Sequence, residues 1–412
     1  MTICQYHARG SIGQVNTVLM HTRPGARSFA LLAYSFVAIM IGTTMPTPMY
    51  ALYSDRLQFS VATTTVIFAI YAGGVLLALL VFGSWSDAVG RRPVLLAGAV
   101  CALLSAVVFL AADTVPMLLI GRFLSGLSAG LFTGTATAAV IEAAPPSWHE
   151  RAPAVATVAN IGGLGGGPLL AGMLVQYAPA PLHLAFVVHI VLVVLAVAAV
   201  LLVPETSPRT GRIGLQSLSV PTQVRPVFLV AALAAFAGFA VTGLFTSVAP
   251  AFLAEVIGID NHALAGLTAS SIFAASAVAQ LVSTRIPPQR AVALGCAILI
   301  VGMAVLVGAL VLSSLPAMIA AAIISGVGQG ISFSRGLAAV VESTPAGRRA
   351  EVSSTYFVVA YVAVAVPVIG AGFAAQAWGL RTSGIVFSVA MGMLAAASLA
   401  AILRRESRAG LR

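Results

Sequence analysis

Runs of about twenty apolar residues recur along the whole chain after its first 27 positions, and no other feature constrains the fold as much. A helix of that length crosses about 30 Å of hydrocarbon, and in lipid the backbone must satisfy its own hydrogen bonds, so each run reads as a transmembrane helix. The runs fall near 28–50, 60–82, 93–112, 115–141, 152–177, 183–203, 226–252, 263–284, 290–312, 315–341, 351–376 and 382–403. That makes twelve. Only 8% of the residues are charged, whereas a soluble surface needs about a quarter. The expected class is an all-α membrane protein, not a string of soluble domains.

Charge placement narrows the class further. All 21 basic residues are arginine. Without lysine there is no P-loop amine and no Schiff base, so the chain is expected to supply no ATPase of its own. A net charge of +10 raises the question of nucleic acid. The arginines, however, follow the loops. With the N-terminus inside, seventeen of them fall on the cytoplasmic side and only Arg56 and Arg381 on the outer side. This positive-inside bias places both termini in the cytoplasm and leaves no need for a nucleic-acid partner. The tail 1–27 lacks the apolar core of a signal peptide, and Met20 could serve as the start. Cys4, Cys101 and Cys296 stand alone, which gives neither a metal site nor a disulfide framework. No cofactor is expected.

One polar stretch, 204–225, interrupts the run of helices and carries Glu205, Arg209, Arg212 and Arg225. It divides the chain into a cytoplasmic tail (1–27), a six-helix bundle (28–203), a central cytoplasmic loop, a second six-helix bundle (226–403) and a cytoplasmic tail (404–412). An internal repeat supports the division. Ser125-Gly126 to Glu142 reappears as Ser325-Gly326 to Glu342 at a constant offset, with Gly130 matched by Gly330 and Ala138 by Ala338. Two parallel six-span halves are a known transporter plan.

Three motifs carry chemistry. Gly83, Asp87, Gly90, Arg91 and Arg92 occupy the loop between spans two and three. Gly90 permits a turn with φ > 0, and Asp87 lies at a helix end where a base can pair with it. Arg122 lies inside span four, where an unpaired charge costs at least about 2.5 kcal/mol and marks a pathway or a partner. Span five holds Gly163, Gly167, Pro168 and Gly172; small residues allow backbone-to-backbone packing and the proline introduces a bend.

These stretches resemble motifs A, B and C of the major facilitator superfamily, with Ala88 standing where motif A usually has a base. The resemblance implies a carrier with twelve transmembrane helices in two pseudo-symmetric six-helix bundles. It further implies that motif A latches the halves together in the outward-open state, that Arg122 is tied to proton coupling, and that motif C marks export. Glu142 and Glu342, at the inner ends of spans four and ten, become gating candidates able to pair with Arg91 or Arg348. Spans one, four, seven and ten are expected to line the cavity, which nominates Tyr34, Met40, Thr44, Met45, Thr133, Phe239, Phe245, Gln329 and Phe333, with Asn160 nearby. Such a pocket suits a moderately apolar small molecule.

The expected function is proton-coupled efflux by a monomer in a bacterial inner membrane, resembling drug–proton antiporters. Arg335, with Arg122, raises an organic-anion carrier as the alternative. A non-transporting sensor or scaffold is a remote third reading. Span one offers no acid to carry the proton, and His189 is a titratable group inside span six.

Overall fold

The computed structural model describes residues 25–410. Residues 1–24, with Cys4, Met20, Arg9 and Arg23, and the terminal residues 411–412, with Arg412, lie outside the described part. Twelve helices are long and apolar enough to cross a membrane: α1 (Ala26–Leu57), α2 (Val61–Phe82), α3 (Arg91–Leu110), α4 (Val115–Ala143), α5 (Ala152–Tyr177), α6 (Leu184–Leu202), α7 (Arg225–Ser247), α8 (His262–Arg285), α9 (Pro288–Val311), α10 (Leu315–Glu342), α11 (Ala346–Trp378) and α12 (Leu380–Arg405).

The ends depart from the sequence expectation where proline or glycine intervenes. In α1 the regular helix stops at Thr44, a short tight turn runs through Thr47–Met49, and a second segment covers Tyr50–Leu57. Pro46 and Pro48 lack the N–H that would continue the ladder. Helix α7 ends at Ser247, earlier than its hydropathy suggests, and a wide π-turn over Phe252–Ile257 closes on Gly258 with φ 79°. At the C-terminus the helix continues to Gly410, past the tail expected from 404. Nothing there breaks it, because no proline or glycine occurs between Ile402 and Ala409.

Short connections make successive helices run in opposite directions. The links after α1, α3, α5, α7, α9 and α11 share one end of the molecule, the end that holds Arg56 and Arg381. The opposite end carries Arg91, Arg92, Arg151, Arg290, Arg348 and Arg404 and is here called the arginine-rich end. Large apolar side chains such as Leu104, Val194 and Leu195 remain exposed at mid-helix, as a lipid-facing surface requires.

The repeat has a structural counterpart. Gly126 and Gly130 of α4 pack on the α2 backbone at Tyr71 and Val75, while Gly326 and Gly330 of α10 pack on the α8 backbone at Ile272 and Ser276. A Cβ at any of the four would collide with main chain. The same spacing therefore performs the same close approach in each half. Between the halves, α2 packs on α11 and α5 on α8.

Candidate functional site

The halves are sealed at one end. Pro168, inside α5, has no N–H for the carbonyl of Leu164, and Thr44 of α1 takes that carbonyl at 2.6 Å. Gly163 and Gly167 face α1, at Met40 and at the backbone of Ile41. Gly172 and the Pro168 carbonyl face the other way, onto Gly266 and His262 of α8. Ser270 of α8 donates to the carbonyl of Gly165, and the backbone N–H of His262 donates to Gln176 at 2.8 Å. On the far flank Gly372 of α11 meets Thr65 of α2. Of these, the contacts of Gly172, Gln176 and Gly372 lie toward the end away from the arginines. The motif C glycines thus form two faces of one helix, binding α1 within the first half and α8 across the seal.

Behind the seal a cavity of 530 Å3 lies between the halves. Its walls reach Leu79, Ile141, Thr157 and Gln280, each within a few residues of the arginine-rich ends of α2, α4, α5 and α8. The cavity is therefore sealed at one end and extends toward the arginine-rich end. Aromatic faces dominate the lining: Tyr71, Phe239, Phe273, Phe333, Phe357 and Tyr361, with Met40 beside them. The Phe333 ring meets Phe239 edge-on at 4.7 Å and Phe357 at 5.8 Å. The polar groups are hydroxyls and amides, and no charged side chain belongs to the lining among the described residues. Ser276 donates to Gln329 Oε1 at 2.6 Å, and Gln280 donates to Ser276 at 3.2 Å. The chain orients the Gln329 amide so that its N–H2 remains available to a ligand acceptor.

Of the cavity residues nominated from sequence, Met40, Thr133, Asn160, Phe239, Gln329 and Phe333 lie in the lining. Tyr34 does not: its hydroxyl donates to the carbonyl of Leu192 in α6. Thr44 is spent on the proline kink, while Met45 and Phe245 are buried in apolar packing. Arg335 lies outside the lining, and its buried Nε has no partner in the structure. Tyr71, Phe273, Ser276, Phe357 and Tyr361 were missed because they belong to α2, α8 and α11, outside the four spans expected to line the cavity.

Arg122 is 1% exposed, and it is held by the first half alone. Nη1 donates to the Thr43 carbonyl, and the guanidinium lies 4.6 Å from the Tyr71 ring centroid and 5.5 Å from that of Phe68. Cation–π contacts of this kind gain strength once desolvated. His189 is buried under Gly42 of α1, so that a Cβ there would overlap the imidazole.

Motif A forms a compact charge cluster. Gly90 adopts φ 111°, a conformation reserved for glycine. Arg91 bridges Asp87 at 2.6 Å and Glu142 at 2.8 Å and also donates to Ser86. All four belong to the first half. Glu342 makes no ion pair among the described residues, while Arg348 pairs with Glu351 at 3.8 Å. Sequence reasoning missed the role of the central loop. The Glu205 carboxylate accepts from the N–H groups of Arg91 at 2.7 Å and Arg92 at 3.2 Å, at the start of α3. Burial raises its pKa, but the N–H groups of Ser207, Arg91 and Arg92 and the charge of Arg209 outweigh that and hold it below the ordinary carboxylate value. The loop then straps motif A: Gly211 N–H donates to Asp87 O at 3.0 Å and Gln216 N–H to Leu80 O at 2.8 Å. Gly211 was the available signal, since only glycine passes so close to Asp87 and Ala88.

A family profile described as the Major Facilitator Superfamily matches residues 31–366. The chain belongs to the Major Facilitator Superfamily. It is a transporter, not an enzyme, and it is a multi-pass membrane protein. Among curated relatives, the multidrug resistance protein MdtL of Escherichia coli (strain K12 / DH10B) is 38% identical over 74 residues. That match spans 18% of this chain and about a fifth of MdtL (19%). Solved structures of the superfamily share the fold over nearly the whole chain. A bacterial homolog of the human lysosomal transporter Spinster superposes with a TM-score of 0.68 at 15% identity, covering 91% of this chain and 96% of that one. The human organic anion transporter MFSD10 gives 0.64 at 17% identity, covering 91% and 99%.

Proposed function

We propose that this superfamily member exports small, moderately apolar, uncharged molecules by alternating access, coupled to proton entry. The uncharged aromatic lining of the 530 Å3 cavity carries the reading. Such a lining binds by apolar contact and hydrogen bonds, and it leaves a charged solute without a counter-ion. The motif C pattern and the MdtL match favour export over import. The arginine distribution favours cytoplasmic termini, so the arginine-rich side faces the cytoplasm and loads solute from within. A bacterial inner membrane and a monomer complete the reading, because one chain encloses the whole cavity.

Alternating access follows from the two ends. The seal through Gly172 and Gly266 must part for outward release, while the arginine-rich ends close. Rocking brings the strapped motif A and Glu142 toward the second half, where Arg348 and Arg349 wait to replace internal partners. Substrate accumulation in everted vesicles, with and without a proton gradient, tests this directly. Wild type accumulates a neutral dye only with the gradient, and Asp87→Asn and Arg122→Ala reduce it. Accumulation that persists after every ion gradient is collapsed refutes the coupling.

The organic-anion reading rests on one observation: the buried, unpartnered Nε of Arg335, two residues beyond Phe333. A turn of α10 during rocking would offer that cation to the cavity. Preference for aromatic acids over neutral and cationic dyes, abolished in Arg335→Ala, would establish this reading in place of drug export.

A further inference from the structure

The two halves differ at one corner of the arginine-rich end. In the first half the start of α3 meets an anion built into the chain, Glu205, bound to the N–H groups of Arg91 and Arg92. The Arg92 side chain also reaches the end of α6, donating to the Leu201 carbonyl at 2.8 Å. The strap then covers this corner. In the second half the equivalent helix, α9, begins at Pro288, and the chain leaving α12 reads Arg404-Arg405-Glu406 at that corner. Among the described side chains, no anion lines the cleft at that corner.

A cleft remains there instead. It measures 310 Å3 and lies between α7, α9, α10 and α12, with Val227, Val230, Val292 and Ile402 as an apolar floor and Gln289 and Arg405 at the mouth. Arg405 Nη1 donates to the Pro226 carbonyl at 2.7 Å, which fixes the guanidinium, and among the described residues its other N–H groups make no hydrogen bond. A second hollow of 480 Å3 shares Gln289 and Ala339 with the cleft and adds Arg290. Glu342 lines only this adjoining hollow, so the cleft itself is basic above and greasy below.

We propose that the cleft holds one anionic phospholipid, its phosphate against Arg405, Gln289 and Arg290 and one acyl chain along Val227, Val230, Val292 and Ile402. The helices stand in a bilayer whose cytoplasmic leaflet carries negative headgroups, and basic pockets between helices at that depth match such lipids. A guanidinium forks onto a phosphate with paired hydrogen bonds. The lipid takes at the second half the place that Glu205 and the strap hold at the first. The leaflet is cytoplasmic in the orientation proposed above, and the choice of an anionic lipid rests on that orientation.

Native mass spectrometry of the purified full chain tests the proposal, after reconstitution with phosphatidylglycerol or phosphatidylcholine. Wild type retains one phosphatidylglycerol at least tenfold more than phosphatidylcholine. The paired substitution Arg290→Ala with Arg405→Ala abolishes this preference, and Arg381→Ala, at the opposite end, preserves it. Val230→Trp keeps every charge but fills the floor; it also loses the lipid while circular dichroism stays helical. Equal retention of both lipids, or retention unchanged in Val230→Trp, overturns the proposal. So does stabilisation by inorganic phosphate alone that matches that of phosphatidylglycerol.

Discussion

Gly172→Val isolates the seal. A Cβ at position 172 would sit 2.5 Å from the His262 carbonyl and 3.2 Å from the Gly266 Cα, and both contacts are backbone. Neither can move without shifting α8. The collision exists only while α5 and α8 touch, so it penalises the conformation described above and spares the outward-open one. Overpacking of this kind costs about 1–3 kcal/mol, which corresponds to roughly 5–150-fold in a two-state equilibrium. Intrinsic helix propensity works the other way, because valine exceeds glycine in helices by a few tenths of a kcal/mol. Distance measurement between spin labels reads the shift. Tyr177 and Leu312 are 71% and 75% exposed at the sealed end, one in each half. Both would become cysteines in a background lacking the native three. The outer distance should lengthen, with the long population gaining at least fivefold. Gly162→Val is the control, since its Cβ would find only Val158 at 3.8 Å. A parental distance distribution in folded Gly172→Val, or an equal shift in Gly162→Val, refutes the reasoning.

Further outcomes follow from the same geometry. Arg122→Ala removes two ring contacts and the partner of the Thr43 carbonyl, and should cost about 2–4 kcal/mol, read as a lower melting temperature in detergent. Arg122→Lys should recover less than half of that loss, because an ammonium lacks the planar stacking face. Gln329→Leu should weaken solutes bearing a hydrogen-bond acceptor by about tenfold in transport KM and leave purely apolar solutes unchanged. Glu205 has a depressed pKa in the folded protein, so its stabilisation is present above the ordinary carboxylate value and is lost as pH falls through the depressed one. Glu205→Gln should therefore lower the melting temperature at neutral pH and flatten the loss that wild type shows below about pH 4.5; parallel pH curves for the two proteins would contradict this.

The twelve spans were legible because lipid imposes a length and a composition on every crossing. Their ends were less so. Pro46 and Pro48 break α1 within an unbroken apolar run, and the π-turn after Ser247 leaves hydropathy unchanged. Side-chain direction was harder. In a soluble helix the apolar stripe marks the inside, but here Tyr34 and Met40 both sit in apolar surroundings, and only Met40 faces the cavity. The pairing of Glu205 with the start of α3 joins residues more than a hundred positions apart. No local pattern encodes it. Motif spacing was most informative where it enforces contact, as when Pro168 frees the very carbonyl that Thr44 takes.

Sided labelling of one cavity cysteine reaches the central idea most directly. Asn160→Cys, with the native cysteines replaced, would be treated with a membrane-impermeant maleimide in right-side-out and in inverted vesicles. A two-ended carrier reacts from the arginine-rich side at rest and from the opposite side once Gly172→Val or substrate plus gradient opens the seal. If Asn160→Cys never reacts from the opposite face under any of these conditions, while still reacting from the arginine-rich one, the halves do not rock about this cavity.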